Sequence, residues 1–231
     1  MIDTANWNLY WNTEEGQTVR GNLVYSAYIS PDGKQYCQKF QRDIRYHPFA
    51  EENAQWTEEL LVDRFRRELK YHDRAKEFMP VLEIVDVDEQ NRSIVYNWPG
   101  DDFLMQGIRA GSYEAVLPDW KEQWIARIKE MRQANIVKLS LHPNSWTVRD
   151  GVLVPMNWFY CYDADTGYDS FANMNIQISS GRRENLYPIL EKYNIDFDTD
   201  YSATQLQVIA FNSFRKNYSS DLIDRVLEET K

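Results

Sequence analysis

Between Lys138 and Trp158 the chain reads Lys-Leu-Ser-Leu-His-Pro-Asn-Ser-Trp, then the turn Arg149-Asp-Gly151, then Val-Leu-Val-Pro-Met-Asn157-Trp158. A polar loop followed by a short apolar hairpin and a second polar residue gathers hydroxyl, imidazole and amide side chains in one short stretch. The residues at those places are neutral. Serine accepts a proton poorly at neutral pH, and an asparagine oxygen is a weaker ligand for a hard cation than a carboxylate. Nearer the N-terminus, Lys39 and Glu68 offer a lysine–carboxylate pair. Asp163 and Asp165 follow Asn157 closely enough to be considered as substitute acids, although surface or capping roles suit them better.

Sheet comes first among the elements that must position these groups. Residues 22–30 are rich in β-branched and aromatic side chains, Pro31-Asp-Gly-Lys34 is a turn, and residues 35–41 complete a hairpin. Strand alternation puts Tyr36, Gln38 and Phe40 on one face and Cys37 and Lys39 on the other. A weaker strand signal covers Trp7–Asn12. A helix is expected over Glu58–Glu77, where Leu61, Phe65 and His72 form an apolar stripe and Glu68 aims a carboxylate along it. The basic residues of that helix, Arg64, Arg66, Arg67 and Lys70, are interleaved with Asp63, Glu68 and Asp73 and read as a solvated face. Val81–Val87 and Ser93–Trp98 are two further strands.

Pro99-Gly-Asp-Asp102 marks a boundary. Beyond it Trp120, Trp124, Ile128 and Met131 recur at helical spacing, and three more apolar-periodic stretches (Leu186–Tyr193, Leu206–Phe214, Leu222–Leu227) close the chain.

Composition narrows the function. Thirty-six acids against 26 lysines and arginines give a net charge of −10, which argues against a nucleic-acid partner. Two cysteines, Cys37 and Cys161, and three isolated histidines build neither a disulfide framework nor a zinc site. No segment approaches the ~20 apolar residues of a membrane span. A soluble protein of the cytoplasm is expected, with no membrane association.

In order and residue type these elements resemble the protein-kinase-like fold, in particular its aminoglycoside and choline kinase branch, over roughly residues 22–158. The family's loop, His-Gly-Asp-Leu-His-Pro-Gly-Asn, is matched by Leu141-His142-Pro143, and its Asp-Phe-Gly or Asp-Trp motif by Asn157-Trp158. The resemblance implies an α+β, two-lobed fold. Residues 1–98 would form a small antiparallel-sheet N-lobe with one helix, and residues 99–231 a reduced, mostly helical C-lobe. It also implies roles. Lys39 would hold nucleotide phosphates and Glu68 would hold Lys39, with Glu58 or Glu59 as rival partners. Cys37 would face adenine, and Tyr96 and Trp98 would belong to the hinge. Ser140 stands where the catalytic aspartate belongs, and Lys138 where the leading histidine belongs. The metal-binding asparagine is Asn144, with one loop residue deleted, a reading favoured because the distance to the next motif is also one residue short; otherwise its place is taken by Ser145. Asn157 replaces the metal-gripping aspartate.

The phosphate loop is also poor. Gly16 and Gly21 are its only candidates, and Glu14 and Glu15 beside them would repel phosphate. The expectation is therefore a pseudokinase, a binding or regulatory module with a protein partner. No cofactor is required by the sequence, and the one the resemblance would allow is ATP, with or without Mg²⁺. The alternatives are an ATP-dependent phosphotransferase using Lys39, Glu68, Asn144 and Asn157, and an acidic interaction protein of viral or accessory type.

Overall fold

The computed structural model describes residues 2–10, 21–22, 25–41, 58–98, 100–164, 191, 203–213 and 218–230. The β-branched and aromatic runs of the first hundred residues pair as β1 (Asn8–Leu9), β2 (Gly21–Asn22), β3 (Tyr25–Ile29), β4 (Gln35–Lys39), β5 (Ile84–Asp88) and β6 (Ser93–Asn97). They form one antiparallel sheet in the order β1-β3-β4-β6-β5, with β2 also pairing with β3. The β3–β4 turn closes because Ser30 Oγ donates to Asp32 at 2.6 Å and accepts from the Gln35 amide, while Gly33 takes φ 71°, a conformation that favours glycine.

Register decides which side chains point inward. Ala27 pairs with Gln38 and Gln38 with Ile94, while Ser26 pairs with Lys39. The inner face therefore carries Tyr25, Ala27, Tyr36, Gln38, Phe40, Ile94 and Tyr96, all buried. Helix α1 (Glu58–Ala75) covers this face with Leu61, Phe65, Glu68, His72 and Ala75, and Phe65 packs edge-on to Phe40 at 5.9 Å. Glu58 and Glu59 in its first turn and Arg74 in its last complement the helix dipole.

After β6, Asp102 caps α2 (Phe103–Ala110) by accepting from the Met105 amide at 3.1 Å. The same carboxylate and Asp101 accept from the Tyr10 hydroxyl, so the N-terminal strand is tied to the boundary segment. Short α3 (Tyr113–Val116) folds back onto α2, and the contact is close. A Cβ on Gly107 would lie 2.5 Å from the Tyr113 ring, which is itself stacked on Phe103 at 4.5 Å. Gly107→Ala is expected to destabilise the protein by about 1–3 kcal/mol through overpacking, read from urea unfolding.

The rest of the described chain is α4 (Trp120–Gln133), β7 (Val137–Lys138), the hairpin β8 (Trp146–Arg149) and β9 (Val152–Pro155), β10 (Cys161–Tyr162), α5 (Ala203–Ser213) and α6 (Ser220–Glu229). β10 returns antiparallel to β7. The core here is built on Trp124, 1 % exposed, which stacks on Tyr218 at 4.6 Å and meets Trp146 and Phe211 edge-on. The mixed α+β architecture expected from the sequence is present: sheet and one helix first, helices with a small hairpin after. Leu186, Ile189, Leu190 and Tyr193 of the first closing stretch, Phe214 of the second, the glycine and glutamates at 14–16, and Asp165 lie outside the described residues. Among the described residues no helix is long and apolar enough to cross a membrane.

Candidate functional site

The inner sheet face, α1 and the β8–β9 hairpin converge on a group of buried polar side chains. Gln38 Nε2 donates to Asn157 Oδ1 at 2.8 Å, and the Tyr25 hydroxyl approaches the same oxygen at 3.4 Å. Asn157 Nδ2 donates to Ser145 Oγ at 3.1 Å, and Ser145 Oγ lies 2.6 Å from Ser140 Oγ. Four neutral side chains thus form one hydrogen-bonded file from the sheet to the loop. Asn157 adopts φ 62° and ψ 65°, a left-handed conformation that asparagine tolerates better than most residues, and this turns its amide back toward Gln38.

Glu68 stands beside the file without joining it. Its Oε1 accepts from the Tyr96 hydroxyl and its Oε2 from the Phe159 amide, each at 2.8 Å. Burial pushes its carboxyl up to about 7, although both hydrogen bonds and the nearby Lys138 ammonium favour the charged form. Lys138 is fully buried and donates to the carbonyls of Met156 and Asn157 at 2.5 and 2.7 Å, which fixes the turn that presents Asn157.

Placement corrects several expectations. Lys39 is not brought to Glu68. It lies on the opposite face of β4, with Nζ 5.4 Å from the centre of the Tyr28 ring, and Gln38 takes the inward place. Cys37 shares the Lys39 face, so the inward position beside the boundary segment belongs to Tyr36, whose ring stacks on Trp98 at 4.7 Å. Tyr96 does reach the site, as a donor to Glu68 rather than through its backbone. Of the two loop candidates, Ser145 contacts Asn157, while the Asn144 amide donates to His142 Nδ1 at 3.2 Å.

The basic face of α1 is not simply solvated either. Arg64 is buried, donating to the Tyr162 hydroxyl at 2.9 Å and lying over the Tyr160 ring. Arg67 donates to the Cys161 carbonyl, and Lys70 and Arg74 pair with Asp163. Asp163 is therefore committed to α1, and Asp150 stands 89 % exposed in its turn. With Glu68 on the Phe159 amide, five α1 side chains grip the segment 159–163.

A nucleotide with its metal fits this group poorly. The inner end of the cleft, lined by Tyr36, Gln38, Glu68, Tyr96, Asn157 and Trp158, holds a cavity of only about 10 Å³, against the ~300–1,000 Å³ of ordinary ligand sites. The oxygen of Asn157 already accepts from Gln38, and no cluster of three or more His, Cys, Asp or Glu able to hold a metal occurs among the described residues.

No protein-family profile matches the chain, and no curated protein matches it in sequence. Solved structures do. The chain is similar to WbdD in a co-crystal with a kinase inhibitor, with 9 % identity and TM-score 0.47 over 93 % of this chain and 51 % of that one. It is also similar to a second structure of WbdD, described as a bifunctional kinase-methyltransferase, with 9 % identity and TM-score 0.44 over 90 % and 47 % of the two chains. The chain spans about half the length of these structures.

Proposed function

We propose that this chain is a kinase-like protein without phosphotransferase activity that serves as a binding or regulatory module for a protein partner in the cytoplasm. Residues 1–98 act as its N-lobe and 99–231 as its C-lobe. The observation that carries the reading is the file Gln38–Asn157–Ser145–Ser140. Phosphoryl transfer depends on charge: a lysine on the phosphates, carboxylates on the metal and a carboxylate near the nucleophile. In this chain neutral groups stand at those places and satisfy one another.

Against the ligand set that the resemblance implies, Lys39, Glu68, Asn144 and Asn157, stand the place of Lys39 on the outer face of β4 and the engagement of the Asn144 amide with His142. The α1 grip on 159–163 and the Tyr10 tie to Asp101 and Asp102 hold the two halves together.

Incubation with γ-labelled ATP and Mg²⁺ or Mn²⁺ tests the reading. Neither label on the protein nor ATP turnover above buffer is expected. Turnover that disappears in Asn157→Ala would favour the phosphotransferase alternative instead.

A further inference from the structure

We propose that Glu68 and Gln38 form a buried proton-binding site whose occupancy sets how tightly α1 holds the segment 158–163. The inference goes beyond the proposed function and holds whether or not nucleotide binds.

Glu68 is 1 % exposed and bridges three elements, α1, β6 through Tyr96, and the turn after β9 through Phe159. Gln38, equally buried, lines the same small cavity, and its Oε1 has no hydrogen-bond partner among the described residues. An ionised carboxylate beside an orphaned carbonyl oxygen leaves acceptors with no hydrogen between them, which is costly in a buried site. A proton on Glu68 supplies that hydrogen, donated to Gln38 Oε1 directly or through a single water, which is all a cavity of about 10 Å³ can take.

The surrounding charges are mixed. Tyr96 of β6 and Cys161 of β10 face the carboxyl as weak acids, Tyr36 of β4 lines the same cavity, and Arg64 and His72 lie one turn to either side on α1. Lys138 of β7 favours ionisation, but its ammonium is engaged by two carbonyls. Burial outweighs it and holds the Glu68 carboxyl at about 7.

The direction of the pH effect follows. The closed, folded group binds its proton more tightly than the opened one, so the grip is fully present below the ordinary glutamate range. It weakens as pH rises from there to about 7 and is level above. Within that window opening of the segment rises by up to about tenfold per pH unit.

The test uses the full chain. Carboxyl ¹³C resonances of glutamate-labelled protein are followed from acid to alkaline pH, with Glu68 assigned by its loss in Glu68→Gln. Amide exchange of residues 158–163, corrected for the intrinsic rate, is measured in parallel. Glu68 should titrate near neutrality, exchange should rise through the same window, and Glu68→Gln should flatten that rise. Gln38→Lys places an ammonium in the cavity and should lower the Glu68 midpoint by at least about one pH unit, a tenfold change in proton affinity. A Glu68 titration in the ordinary carboxylate range overturns the proposal, as does an unmoved midpoint in folded Gln38→Lys. Should that variant fail to fold, the wild-type titration and exchange profile decide the matter.

Discussion

Lys138→Met is expected to destabilise the protein by about 3–5 kcal/mol at pH 8, and by less at pH 5. The methionine fills similar volume, so the loss is polar. The carbonyls of Met156 and Asn157 lose their buried donor, and ionised Glu68 loses the ammonium that helps to balance it. Removing one partner from a buried charged group typically costs this much, because the other charge is left uncompensated. The pH dependence has a definite sign. Below about 7 Glu68 is increasingly protonated in the fold, so only the carbonyl penalty remains. Urea unfolding at the two pH values measures the difference, and an equal loss at both would detach Lys138 from Glu68.

Trp124→Ala should be as damaging for an unrelated reason, about 3–5 kcal/mol independent of pH. The indole is the meeting point of α4, β8, α5 and the approach to α6, through Trp146, Phe211 and Tyr218. Tyr218 is pinned by its hydroxyl to the Leu141 carbonyl at 2.7 Å, and Trp146 Nε1 donates to the same oxygen at 3.3 Å. The walls are therefore anchored and cannot collapse into the space the indole leaves. A loss under about 1 kcal/mol, with an unchanged denaturant slope, would show that this core relaxes freely. The prediction also bears on the loop that carries Ser140, since Leu141 is the acceptor both rings share.

Periodicity made much of this fold legible. The two hairpins, the long helix and the α4 stripe stand within a few residues of where alternation and helical spacing put them. The expected strand at 81–87 begins later, at Ile84, and contains a bulge between Ile84 and Asp86. α2 and α3 are not separately legible within the helical region, because their signals are caps at Asp102 and Ser112 rather than long apolar stripes.

At the site, residue type points to Lys39, whereas strand alternation points to Gln38. Gln38 lies between Tyr36 and Phe40 on the apolar face, and that face had to be the covered one. Tertiary pairing explains what was out of reach. Arg64 reads as a solvent-facing charge and Lys138 as the stand-in for the loop's leading histidine, and only the aromatic and carbonyl groups of residues 156–162 account for their burial. The choice between Asn144 and Ser145 likewise depends on the tight turn at Pro143–Ser145, which local sequence does not specify.

We propose that the polar groups around Asn157 are engaged with one another rather than poised for nucleotide. A thermal-shift titration with ATP to millimolar concentration, with and without Mg²⁺, tests it most directly. A ligand that binds only the folded state adds about 2.7 kcal/mol at 100 times its dissociation constant, a rise in melting temperature that is readily seen. No shift is expected with either preparation. A Mg²⁺-dependent rise that Asn157→Ala removes would contradict it.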